Sequence, residues 1–283
     1  MSESRIHTVV STEGTEIAGR VVGQGPPLVL VHGGPGDGEI AYTELLPHLA
    51  DRFTCYLPST RGRGLSGDHP DHSLPRLQED VTAFVASVGE PVGLVGWSGS
   101  GPWVLGAAEQ TDNVTAVAAW EPAGSLEAFG ADGLADLGRF GAAVEQVGIA
   151  ANDGRLDDAL RAFLIGICND DEIAALERTD FHQRWAAAMP GLLDFMQHVT
   201  STLDPGPFAT QALARIAVPV LVLTGAETLL PTMFGNVARF VSTHVADAQV
   251  RVVPGVGHFA PVVAPEVLAH QLTSFFEAAL QTA

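Results

Sequence analysis

The chain has 283 residues, of which 46% are hydrophobic and 17% charged; that length suits one α/β domain with an insertion, and so much apolar surface excludes disorder as the main state. Its formal net charge is -19 and every basic residue is arginine, so phosphate backbones and anionic lipid surfaces would repel it, and neither nucleic acid nor membrane is an expected partner. No apolar run reaches the roughly 18 residues of a membrane helix, the start MSESRIHTVV lacks a secretory pattern, and Cys55 and Cys168 are too few for a disulfide framework, reading instead as inert buried thiols in a reducing cytoplasm.

Along the chain, 5–10 and 17–22 carry β-branched residues around the turn signal Glu13–Gly14 and read as an opening hairpin. Residues 27–31 (PLVLV) form a short continuous apolar run, the pattern of a strand covered on both faces, and lead into His32-Gly33-Gly34-Pro35-Gly36. A helix is expected over 40–51, a strand over 53–57, and a helix over 77–88 with Leu77, Val81, Phe84, Val85 and Val88 on one face. A strand over 92–95 runs into Gly96-Trp97-Ser98-Gly99-Ser100-Gly101; a helix and the strand 114–120 follow.

The alternation then stops. From 125 to 214 only helical patterns occur, for example Leu156, Leu160, Phe163, Leu164 and Ile167, punctuated by Pro190, Pro205 and Pro207. It resumes with a strand over 218–223, a helix near 236–244, a strand over 249–253, a loop holding His258 and a last helix over 265–280. Repeated βα units imply a mostly parallel sheet with helices on both faces. The organisation expected is a core over 1–124 and 215–283 with a helical cap, 125–214, over the sheet's carboxyl edge, where ligands bind in such sheets.

Gly96-Trp97-Ser98-Gly99-Ser100 lies between a strand and a helix, and a nucleophile on that turn is held strained and exposed, with small flanking residues so that strand and helix can approach. Ser98 is therefore the candidate nucleophile. Ser100 is the rival, disfavoured because Pro102 would then fill the second small position. No pair of histidines has metal-ligand spacing with a carboxylate, so no metal is expected. His48 and His270 read as helix-surface residues, His69 and His72 as members of a polar loop, and His182 and His198 as cap residues.

With these motifs in this order, nearly the whole chain resembles the α/β-hydrolase family. The resemblance implies a fold of that type and an oxyanion hole made by the amides of Gly34 and Gly99. It makes His258, in Gly255-Val256-Gly257-His258-Phe259, the general base. The family's usual acid position after the later strand, in Gly225-Ala226-Glu227-Thr228, holds Thr228; Glu227 reaches it only by a one-residue shift. The other known position, after the strand that follows the nucleophile's helix, holds Glu121, which is favoured, with Glu227 as the alternative. The elbow, the placing of Glu121 and the stretch Gly225-Ala226-Glu227-Thr228 with Pro231-Thr232-Met233-Phe234 also resemble zearalenone-type lactonases, which use the earlier glutamate. Ser59 stands where the family usually has an aspartate before Arg61-Gly62.

The function expected is that of a cofactor-free serine hydrolase acting on a carboxylic ester or lactone. Trp185, Met189, Leu192, Leu193, Phe195 and Met196 cluster in the cap segment, and Trp97, Met233 and Phe234 lie near the elbow. Of these, Trp97, Trp185, Met189, Leu192, Met233 and Phe234 are the candidate substrate contacts. Arg184 is the only basic residue near that cap segment, so a bulky, neutral, hydrophobic substrate is expected. A homodimer is left open. A proline iminopeptidase shares the HGGPG segment, and a catalytically dead receptor on the same fold is the alternative from another class. Haloalkane dehalogenases and epoxide hydrolases place an aspartate where Ser98 stands.

Overall fold

A computed structural model describes residues 4–201 and 206–282, with side chains outside 197–201 and 282. Pro205 and the side chain of His198 lie outside that range. The strands are β1 (Arg5–Val10), β2 (Glu16–Gly23), β3 (Pro27–Val31), β4 (Thr54–Pro58), β5 (Val92–Trp97), β6 (Val114–Trp120), β7 (Val220–Gly225) and β8 (Ala248–Val253). They form one sheet in the order β1-β2-β4-β3-β5-β6-β7-β8. β2 runs antiparallel to β1 and β4, and every other pairing is parallel. All residues of β3, β5 and β7 are buried, which requires cover on both faces, as their unbroken apolar runs imply.

The helices are α1 (Leu74–Ser87), α2 (Gly101–Gln110), α3 (Leu126–Asn152), α4 (Leu156–Ile167), α5 (Asp170–Leu176), α6 (Phe181–Ala186), α7 (Met189–Ser201), α8 (Thr210–Leu213), α9 (Pro231–His244), α10 (Ala260–Val263) and α11 (Pro265–Thr282). α2 packs on β5 and β6, α11 on β6, and α9 on β7 and β8. α3 to α8 all fall between β6 and β7, within the stretch where only helical patterns were expected. α4 buries Leu160, Phe163, Leu164 and Ile167, the stripe legible in its spacing.

Two local expectations fail. No α-helix spans 40–51; the chain makes turns there, with a 3-10 turn over Leu46–His48. Pro47 lacks the amide needed to continue a helical ladder, and Asp37 Oδ1 accepts the Glu39 and Ile40 amides at 2.7 and 3.0 Å in a side-chain turn. α9 begins at Pro231 rather than near 236, with proline in the first turn and the Thr232 and Met233 amides donating to Asp136 Oδ2 at 2.9 and 3.1 Å. Among the described residues no helix is long and apolar enough to cross a membrane.

Candidate active site

β5 and β6 pair in register at Trp97 and Trp120, so the residues that follow them, Ser98 and Glu121, leave the sheet side by side at its carboxyl edge. Both adopt the left-handed conformation, with φ of 56° and 40°, and no other described non-glycine residue does. Each costs about 1–3 kcal/mol of backbone strain, which the surrounding packing must sustain. The Ala123 amide donates to the Ser98 carbonyl at 2.9 Å and ties the two turns together. The small elbow positions have steric reasons: a Cβ on Gly96 would lie 2.6 Å from Val104 Cγ2, and one on Gly33 2.7 Å from the Trp97 carbonyl oxygen. Ser100 is fully buried; its hydroxyl accepts from the Trp97 amide at 2.8 Å and donates to the Val31 carbonyl at 2.7 Å, stapling the elbow to β3.

Glu121 is fully buried and His258 is 1% exposed. His258 Nδ1 lies 2.8 Å from Glu121 Oε2. The Thr228 hydroxyl donates to the same oxygen at 3.0 Å, and the Gly225 amide donates to Oε1 at 2.8 Å. Thr228 thus braces the carboxylate that follows β6. With a carboxylate on Nδ1, that nitrogen carries the proton and Nε2 is the acceptor. The His258 carbonyl receives the indole N–H groups of Trp97 and Trp120 at 3.1 and 2.9 Å, and Phe234 stacks on the imidazole at 5.1 Å and 12°. No hydrogen bond joins Ser98 Oγ to His258 Nε2 among the described residues; such bonds commonly form only with substrate in place. Glu227 is exposed, and among the described residues only its backbone is engaged, its amide with Val256 and its carbonyl with Asn169 Nδ2 at 2.7 Å.

The loop after β3 is held from three directions. His32 is buried; Nδ1 bonds the Gly33 carbonyl at 3.0 Å, and Nε2 accepts the Thr60 amide at 3.0 Å. Burial, and then the nearby Arg63, bring its pKa down to about 3, so it is a neutral structural histidine. Arg63 donates to the carbonyls of Gly34, Gly36 and, on α7, Gly191, the last two at 3.0 and 2.5 Å. Ser59 Oγ accepts the Gly38 amide at 3.2 Å. The buried Arg61 pairs with both oxygens of Asp80 at 2.7 Å and with Glu13. The Gly34 amide has no acceptor among the described residues, and the Gly99 amide lies in the first turn of the elbow helix, where amides lack intrahelical partners.

The helical insertion covers these amides with apolar side chains. A Cβ on Gly34 would lie 3.1 Å from Phe163 and 3.7 Å from Leu192, and one on Gly99 3.2 Å from Phe195. Trp185 packs on Trp97, Phe181 and Phe259. Trp97, Trp185, Met189, Leu192, Met233 and Phe234 are all buried. The contacts of Thr228 and Arg63 at this edge were not read from the sequence. Only the position of Thr228 signalled anything, since Arg63 acts through backbone carbonyls that no side-chain motif marks. Among the described residues no group of three or more His, Cys, Asp and Glu side chains is placed to hold a metal ion.

Comparison with known proteins agrees with the fold. Over 98 residues the chain is 38% identical to a pimeloyl-[acyl-carrier protein] methyl ester esterase of Stenotrophomonas maltophilia, a match covering 35% of this chain and 36% of that protein. It is 26% identical over 274 residues to a 2-(acetamidomethylene)succinate hydrolase of Mesorhizobium japonicum, covering 92% of this chain and 91% of that protein. An α/β hydrolase from Sphaerobacter thermophilus superposes with a TM-score of 0.71 at 26% identity, covering 95% of this chain and 100% of that one. A thermophilic esterase from Thermogutta terrifontis has the same fold, with a TM-score of 0.71 at 21% identity over 97% of this chain and 99% of that one. The family model described as "Alpha/beta hydrolase family" matches residues 28–271, and the chain belongs to that family.

Proposed function

We propose that the protein is a cofactor-free serine hydrolase that cleaves a carboxylic ester or lactone through an acyl-enzyme. The observation that carries this reading is the 2.8 Å contact of His258 Nδ1 with a buried glutamate at the edge where Ser98 sits on a strained elbow. In the proposed reaction His258 Nε2 takes the Ser98 proton as Oγ attacks the carbonyl carbon. Glu121 keeps the Nδ1 proton in place and stabilises the imidazolium. The amides of Gly34 and Gly99 receive the oxyanion, each contributing on the order of 3 kcal/mol of barrier lowering. His258 protonates the leaving alkoxide, which for a lactone stays attached to the acyl group. Water, deprotonated by His258, then releases the acid and restores Ser98.

The insertion acts in this reading as a cap, and its Phe163, Leu192 and Phe195 favour a neutral, hydrophobic acyl group beside the nucleophile. A zearalenone-like macrolactone fits that preference. An aminopeptidase would need free carboxylates in the cap to hold an ammonium group. Glu172, the buried glutamate of the insertion, instead has both oxygens on backbone amides. The test is kcat/KM for an aromatic macrolactone, a medium-chain aryl ester, an acetate ester and a prolyl amide. The expected order puts the first two ahead. A lead for the prolyl amide would turn the reading to a peptidase, and inactivity on all four to a receptor.

A further inference from the structure

The carboxylate of Glu172 is 4% exposed although it lies on α5, a short helix of the insertion. Helix capping explains half of its bonding: Oε2 accepts the Asn169 amide at 3.2 Å, while Asn169 Oδ1 accepts the Glu172 amide at 2.9 Å. A capping box does not require burial, and it does not explain the other oxygen. Oε1 leaves the insertion and accepts the Phe259 amide at 2.7 Å, in the peptide directly after the imidazole-bearing residue. The same carboxylate lies against the peptide before it, since a Cβ on Gly257 would sit 2.5 Å from Oε2. Both oxygens act as acceptors, as the ionised form requires. Burying such a group is costly without a compensating positive partner.

We propose that Glu172 is a positioning residue for His258: it clamps the backbone on both sides of the imidazole and supplies a second buried negative charge that favours the imidazolium. This rests on the hydrolase reading above only where it concerns turnover. The other ionisable groups around this point are few. Glu121 is the first carboxylate at the imidazole, and Cys168 is a buried thiol held neutral by its burial and by Glu172 and Glu121. Asp170, Asp171 and Glu227 are exposed to water at the cleft outside, and α10, which packs on α5, carries no ionisable side chain. Burial, and to a lesser degree Glu121, push the Glu172 carboxyl up, opposed by the Phe259 amide, by His258 and by the Asn169 amide.

The test uses the imidazole itself, so that it does not depend on a substrate. The protonation of His258 is followed by NMR in the wild-type protein, Glu172→Gln and Asn169→Ala. Glu172→Gln removes the charge; Asn169→Ala removes the helix cap and keeps the charge. The expected result is a titration midpoint lowered by about half a pH unit or more in Glu172→Gln and unmoved in Asn169→Ala. With an active ester, kcat should fall roughly 10-fold to 100-fold in Glu172→Gln while KM changes little. An unmoved midpoint in Glu172→Gln, or an equal shift in Asn169→Ala, overturns the proposal. If Glu172→Gln does not fold, Glu172→Asp serves: it keeps the charge and withdraws it from the Phe259 amide, so kcat should fall with the midpoint near wild type, and a wild-type kcat overturns the clamp. A shifted midpoint in a protein inactive on every ester refutes the hydrolase reading alone.

Discussion

Replacing Glu121 with glutamine separates the two candidate acids and has a magnitude that follows from the bonding. The carboxylate accepts three donors, from His258 Nδ1, Thr228 Oγ1 and the Gly225 amide, with no exposure to water. Glutamine keeps one acceptor oxygen. If that oxygen faces His258 and Thr228, the new NH2 group meets the Gly225 amide, donor against donor. If it faces Gly225, the NH2 group meets His258 Nδ1 and favours the tautomer whose Nε2 carries the proton and cannot take one from Ser98. Either rotamer leaves a buried donor unpaired, at a cost of about 1–3 kcal/mol, which lowers the melting temperature by roughly 2–10 °C. The loss of kcat should be about 10³- to 10⁴-fold, the scale set by the wrong histidine tautomer in triad enzymes. Steady-state kinetics on an active ester, with calorimetry, measures both. Glu227→Gln, altering an exposed side chain, should change neither. A Glu121→Gln variant keeping a tenth of wild-type kcat, or a dead Glu227→Gln, would refute the reasoning.

Three further outcomes are expected. Ser100→Ala should remain catalytically competent yet lose about 1–3 kcal/mol of stability, because it strips a buried partner from the Trp97 amide and the Val31 carbonyl; urea unfolding measures this, and unchanged stability contradicts the staple. His32, held neutral with a pKa of about 3, contributes stability that is complete above the unfolded value near 6.5 and is lost as pH falls toward 3. Between pH 7 and 5 the wild-type protein should therefore lose about 2 kcal/mol more than His32→Gln, and equal losses would show that His32 is not buried neutral. Arg63→Met releases the carbonyls of Gly34, Gly36 and Gly191 together; kcat should fall about 10-fold or more as the oxyanion loop loosens, and a wild-type kcat would show that the strap does not serve the reaction.

The parts of the molecule legible in the sequence were those whose chemistry is local. PLVLV has the pattern of a strand buried on both faces, and the glycine and serine spacing around Ser98 pointed to a sharp strand-to-helix turn. The helix expected over 40–51 failed because Pro47 cannot continue the ladder and Asp37 makes a side-chain turn just before it. The bonds from the Gly225 amide and the Thr228 hydroxyl to the carboxylate were hidden because those partners are 104 and 107 residues away, brought beside it only by the register of β6 and β7. The charges that balance the buried Arg61 were hidden for the same reason, since they come from Asp80 on α1 and Glu13 in the first turn. Arg63 binds backbone carbonyls, which leave no trace in a motif, and the capping box of Asn169 and Glu172 marks a helix start but not the bond to the Phe259 amide.

The central claim is that Ser98 is the nucleophile of this site, and covalent capture tests it most directly. The protein is treated with a fluorophosphonate, digested, and the modified peptide located by mass spectrometry, with Ser98→Ala and Ser100→Ala treated in parallel. The account predicts one adduct per chain, on Ser98, absent from Ser98→Ala and retained in Ser100→Ala. An adduct on Ser100, or a folded wild-type protein that takes up none, would contradict it.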